Sequence, residues 1–166
     1  DSFRNTDTQI FVNAQITDLH LIFVNMEGKM FLEKELSYRL MGCFYKVRNL
    51  YGGDHREKVY DEMLSGVLKE EGLNFVDKPQ ISLYSLQTGE KVSFIVPDKL
   101  VENKIIVELK AKPFCTLDDI NQVREYLKIT EFEIIYLVNF GEKNFRPRRY
   151  IYTNDNKPFL AQTKHL

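Results

Sequence analysis

The sequence predicts an α/β fold, a mixed central sheet flanked by helices, in the order helix, helix, three strands, helix, two strands. Three observations carry this. After residue 30, two successive stretches repeat apolar residues at spacings of three and four, the period of an amphipathic helix. Two runs, NKIIVELKA and FEIIYLVNFG, are almost continuously apolar, as strands covered on both faces are. A further helical pattern lies between those runs, and a helical crossover between buried strands implies parallel pairing.

Residues 1–29 alternate weakly through Ile10, Val12, Ala14 and Ile16. They are expected to be a leader, either a weak hairpin or sequence upstream of the domain, with Met30 a natural start. The domain is expected over residues 30–153. Its first helix carries the stripe Leu36, Leu40, Cys43, Phe44, Val47 and Leu50, and Gly52 and Gly53 stop it. Asp54 is placed as the N-cap of the second helix, with Glu57 as the reciprocal capping-box acid. That helix has Val59, Tyr60, Met63, Leu64, Val67 and Leu68 on its apolar face, and helical spacing puts Glu57 in line with it. Ile81 and Leu83, the turn QTGE, then Val92, Phe94 and Val96 read as a hairpin. Asp98 closes its second strand, and NKIIVELKA is the third strand. Thr116 caps a helix to about Lys128, with Ile120, Val123 and Leu127 inward. FEIIYLVNFG ends at Gly141, RRYIYT is the last strand, and residues 154–166 read as a loosely structured tail.

Composition narrows the function. The chain has 166 residues, 43% hydrophobic and 28% charged, as expected of one soluble domain. It has no apolar run long enough to span a bilayer and no signal-peptide pattern at its start, so a cytoplasmic protein without a membrane partner is expected. Two cysteines and three scattered histidines exclude a four-cysteine zinc site or an iron–sulfur cluster built from this chain alone. Any metal would be held by carboxylates, which favours Mg²⁺ or Mn²⁺. The net charge of −1 does not announce a nucleic-acid binder. Locally, EKNFRPRRY gathers Lys143, Arg146, Arg148 and Arg149 around Phe145 and Tyr150. The cluster could hold phosphates with rings for stacking; taken alone, it reads better as a solvated loop.

The most informative stretch is IVPDKLVENKIIVELKAK. Nine residues separate Asp98 from Glu108, and Lys110 follows two further on inside an apolar strand. Side chains alternate along a strand, so Glu108 and Lys110 share one face, and Val107 and Leu109 the other. A solvated face, an ion pair or a metal site would each explain the pair. If Asp98 lies on a neighbouring strand, two carboxylates about 5 Å apart repel by roughly 3 kcal/mol at an effective dielectric near 20, which a divalent cation removes. Lys110 could then orient a water and stabilise charge growing on a phosphate oxygen. On the later helix Gln122 and Tyr126 lie one turn apart, which by itself is an ordinary solvated face.

Together these residues resemble the PD-(D/E)XK nuclease superfamily: Pro97-Asp98 is similar to its first motif and Glu108-Leu109-Lys110 to its second. More narrowly the chain resembles the GxxExxY branch, through ELSYRLMGCFYKVRNLYGG, EKVYDEML with Glu57 and Tyr60, QVREYL with Gln122 and Tyr126, and YLVNFG. The branch's glycine three residues before the motif glutamate is Asp54 here, and the turn is expected to be rebuilt around it. The resemblance covers about residues 31–153. It implies a restriction-endonuclease-like core and metal-dependent hydrolysis of phosphodiesters, most readily in DNA. Asp98 and Glu108 would hold Mg²⁺ or Mn²⁺, with the Leu109 carbonyl and Glu57 as further contacts. Lys110 would position the attacking water, and Gln122 and Tyr126 would orient the site or touch the nucleic-acid backbone. The alternatives are a catalytically silent nucleic-acid-binding or protein-interaction module of the same fold, and a structural domain in which Glu108 and Lys110 are only an ion pair. The near-neutral charge also suggests a homodimer or protein partner that supplies DNA contacts.

Overall fold

The computed structural model describes residues 32–162, so the expected leader lies outside them. From Tyr38 onward the described backbone forms one unit. The elements are α1 (Lys34–Tyr51), α2 (Glu57–Glu70), β1 (Phe75–Asp77), β2 (Ile81–Tyr84), β3 (Lys91–Ile95), β4 (Lys99–Val101), β5 (Ile105–Lys110), α3 (Leu117–Ile129), β6 (Ile134–Asn139), β7 (Arg148–Ile151), a 3-10 turn (Asn154–Asn156) and α4 (Pro158–Gln162). The main sheet runs β1-β4-β5-β6-β7. Only β5 and β6 pair in parallel, joined by α3; the other neighbours are antiparallel. The expected α/β class with a mixed sheet between helices is what forms.

Its strands differ in detail from the expectation. The hairpin β2–β3 is a separate two-stranded sheet. Asp98 does not close β3; it immediately precedes a further short strand, β4, which pairs with β5. The β4–β5 turn has Glu102 and Asn103 both at positive φ, 50° and 53°, closed by Lys104 N–H donating to the Val101 carbonyl at 3.0 Å. This left-handed pair matches the twist of two antiparallel strands. The Glu102 carboxylate takes the Asn74 backbone N–H at 2.7 Å, which helps hold a residue that dislikes positive φ.

The two faces of the sheet bury different sets. Phe44 from α1 meets Tyr136 of β6 at 5.4 Å between ring centroids, and Leu40, Val47, Leu64 and Leu68 are fully buried. On the opposite face Ile106, Ile135 and Leu137 pack with Val123 and Leu127 of α3 and with Ile81 and Ile95 of the hairpin. Each fully buried Leu or Ile contributes about 1.5–3 kcal/mol. Thr116 caps α3 as expected, in a reciprocal box with Asp119. Leu50, expected on the α1 stripe, is exposed instead.

The segment after residue 153, expected to be loose, is docked. Phe159 is fully buried and stacks on Tyr84 with centroids 5.1 Å apart. Lys157 is also buried, and its ammonium donates to the carbonyls of Thr130 at 2.9 Å and Phe132 at 2.5 Å, at the C-terminal end of α3. Burial pulls its pKa down to about 8. The unfolded chain therefore binds more protons than the folded one between about pH 8 and the ordinary lysine value. Stability from this group rises with pH across that window. Urea unfolding of wild type and Lys157→Met at pH 7.5 and 9.5 should show the rise in wild type and its loss in the variant.

Candidate active site

Asp98, Glu108 and Lys110 lie at one end of the sheet. The parallel register sets Lys110 beside Asn139, so β5 and β6 end together. β4 runs the other way and begins there, with Lys99 opposite Val107; one position further, Asp98 stands beside Glu108. Gly141 follows β6 so closely that a Cβ on it would lie 2.6 Å from the Lys112 backbone nitrogen, and only glycine lets the two strand ends meet. Asp98 is 6% exposed. Its Oδ2 accepts the Leu109 N–H at 2.6 Å, its Oδ1 is ion-paired with Lys78, and its carbonyl accepts the Lys78 N–H at 2.9 Å. The acid is held from both sides of the chain.

Glu108 and Lys110 share a face of β5, and the ammonium meets Glu108 Oε1 at 2.8 Å. Burial pushes the Glu108 carboxyl up, the Lys110 hydrogen bond opposes that, and the charge of Asp98 adds to the rise. Burial works against the Lys110 ammonium too, but the hydrogen bond and charge of Glu108, then Glu57 and Asp98, outweigh it and raise its proton affinity. Lys110 is thus a held cation at neutral pH, suited to orienting and stabilising rather than to removing a proton.

Glu57 is the first residue of α2 and is exposed, contrary to its expected place on the buried stripe. The capping box is absent as well: the N-cap is Arg56, and no side chain caps the helix. The preceding turn is built instead by Gly52, at φ +73°, and by Tyr60, whose hydroxyl donates to the Gly52 carbonyl at 2.8 Å and accepts the His55 N–H at 3.3 Å. Tyr60 stacks on Phe140, 4.5 Å between centroids, which fixes the start of α2 against the end of β6. Though Glu57 is exposed overall, desolvation of its carboxyl by the neighbouring protein pushes its pKa up, opposed by Lys110 and reinforced by Asp98. Glu57, Asp98 and Glu108 therefore sense one another's charge.

Five residues that sequence reasoning passed over complete this network: Lys78, Lys99, Asp61, Ser65 and Asp77. Lys78 pairs with Asp98. Lys99, fully buried, donates to Ser65 Oγ at 2.7 Å, lies 2.8 Å from Asp61 Oδ1 and pairs with Asp77. Asp61 sits one helical turn beyond Glu57. A lysine directly after Pro-Asp, followed by Leu-Val, was the available signal for Lys99. The five carboxylates of Glu57, Asp61, Asp77, Asp98 and Glu108 face three ammonium groups, which leaves two formal negative charges. Among the described residues no three His, Cys, Asp or Glu side chains stand at ligating geometry; Lys78 and Lys110 already engage oxygens of Asp98 and Glu108. The all-oxygen donor set and the residual charge nevertheless fit a hard divalent cation.

Gln122 and Tyr126 are brought together, with the Gln122 amide donating to the Tyr126 hydroxyl at 2.8 Å. Tyr126 packs on the sheet face that also carries Glu108 and Lys110. The basic cluster is divided. Lys143 and Arg146 are exposed on the loop leaving β6. Arg148 instead grips Glu142 at 2.9 and 3.1 Å, and Arg149 is partly buried. Phe145 is not an open stacking platform: it packs on Phe140 and Tyr45, with Arg48 over its ring at 5.8 Å.

Carboxylates suited to a divalent cation, with a lysine beside them, suit hydrolysis of a phosphate ester, and the fold class is that of nuclease-type α/β domains. The model of the PD-(D/E)XK nuclease superfamily matches residues 34–150, and the chain belongs to that superfamily. Its class of activity is nuclease-type phosphodiester hydrolysis, its substrates are nucleic acids, and its members generally use divalent metal ions. No curated protein and no solved structure matches the chain. None of the described helices is long and apolar enough to cross a membrane.

Proposed function

We propose that this chain is a divalent-metal-dependent nuclease of the GxxExxY branch, acting on DNA. The observation that best supports this is the meeting of Asp98, Glu108 and Lys110 at the end of β5, within electrostatic reach of Glu57. Asp98 and Glu108 would hold Mg²⁺ or Mn²⁺, with the Leu109 carbonyl and Glu57 as further oxygen donors. When bound, the cation supplies polarisation of the phosphoryl oxygen and a more acidic water. Lys110 orients the attacking water and holds its ammonium against the phosphate oxygen on which charge grows. Gln122 and Tyr126, as a bonded pair, position the scissile backbone. Lys143 and Arg146 contact flanking phosphates, Arg148 and Arg149 shape the strand behind them, and a homodimer or protein partner supplies further basic surface.

The test is cleavage of linear, circular and single-stranded DNA in Mg²⁺ or Mn²⁺. Cleavage of linear DNA with circular DNA spared identifies an exonuclease; cleavage of both identifies an endonuclease. The engagement of Asp98 and Glu108 by lysines favours the second reading, a catalytically silent module. That reading, a nucleic-acid-binding or protein-interaction module, requires no cleavage in either metal by a folded chain.

A further inference from the structure

We infer that Lys78 is a built-in counter-cation for Asp98 that must leave the carboxylate when a divalent cation binds, and so sets the metal affinity of the site; this rests on the metal site proposed above. Three ammonium groups touch the acidic network, and they differ in freedom. Lys99 is fully buried among Ser65, Asp61 and Asp77 and has nowhere to go. The Lys110 side chain is 18% exposed, on Glu108. The Lys78 side chain is 55% exposed yet ends on Asp98 Oδ1, so it can swing into water at little cost.

The backbone around it is fixed. Lys78 has φ 48°, and its N–H donates to the Asp98 carbonyl at 2.9 Å. A lysine held in the left-handed region persists where its surroundings over-determine it. Asp98 is equally fixed, because Leu109 N–H holds its other oxygen. Turning the carboxylate to move Oδ1 away from Lys78 would break that bond. A cation arriving at Oδ1 meets the ammonium already there, and two cations cannot share that position.

The experiment titrates Mn²⁺ into the full chain by calorimetry, for wild type, Lys78→Gln and Lys78→Arg, each also in an Asp98→Asn background. Lys78→Gln should bind Mn²⁺ about 1.5- to fivefold more tightly, the range for a partly solvated ion pair. Lys78→Arg should return affinity close to wild type, and Asp98→Asn should abolish the difference. Equal or weaker Mn²⁺ binding by Lys78→Gln overturns the role of Lys78 and leaves the metal site standing. Absence of Mn²⁺ binding by wild type overturns both. A second measurement needs no variant: amine acetylation of Lys78, read by mass spectrometry, should rise when Mn²⁺ is added to wild type. Unchanged or reduced labelling overturns the inference.

Discussion

Lys110→Ala should lower the rate of DNA cleavage in Mg²⁺ by about 10²–10³-fold, the usual cost of losing one oriented electrostatic contact in a transition state. Mg²⁺ binding should be retained or somewhat tightened, because lysine contributes no metal ligand and its loss frees Glu108 Oε1. The loss should appear in kcat, since the ammonium acts on charge that develops only as the phosphoryl group reacts. Asp98→Ala and Glu108→Ala should behave differently. They remove oxygen donors, so metal binding and cleavage fall together. Asp98→Ala also leaves the Leu109 N–H and the Lys78 ammonium without their acceptor. Calorimetry with Mg²⁺ and single-turnover cleavage on the same preparations separate the two patterns. A folded Lys110→Ala that cleaves at the wild-type rate would make Glu108–Lys110 a structural ion pair.

Lys99→Met should destabilise the fold by about 3 kcal/mol, the range for breaking a buried ion pair by removing one partner. The side chain is similar in length, so little volume is lost, and the cost comes from Asp61 and Asp77 left facing each other around Ser65. Both acids retain some contact with water, which keeps the loss from growing larger. Asp61→Asn added to Lys99→Met should recover part of it. The urea midpoint reads this directly; an unchanged midpoint in Lys99→Met would mean the buried ammonium contributes nothing. The effect reaches the site, because Lys99 ties α2 to β1 and β4, next to Asp98 and one turn from Glu57.

The sequence made some of this legible and hid the rest for physical reasons. Helical period gave α1, α2 and α3, because each buries one face at that spacing, and continuous apolar character gave β5 and β6, because they are buried along most of their length. The strand β4 was hidden by its own chemistry. Lys99 interrupts the apolar pattern, and the partners that make its burial tolerable come from Asp61, Ser65 and Asp77, more than twenty positions away. Alternation in β2 and β3 indicated a hairpin but carried no information about which sheet it joins. Glu57 was misplaced because stripe phase assumes burial from the first residue, whereas α2 begins at Glu57 and its buried face begins only with Tyr60. Two apolar residues separated by most of the domain, Tyr84 and Phe159, hold the final segment down, and no local pattern reports such a contact. In the basic loop, charge alone did not distinguish Arg148, which is bound to Glu142, from the exposed Arg146.

Asp98, Glu108 and Lys110, we propose, form a divalent-metal phosphodiesterase site. It is tested most directly by incubating a linear DNA duplex with wild type and with Asp98→Asn, each in Mg²⁺ and in excess chelator. The expected result is cleavage by wild type in Mg²⁺ and in none of the other three reactions. Cleavage that persists in chelator, or in Mg²⁺ with Asp98→Asn, would contradict it.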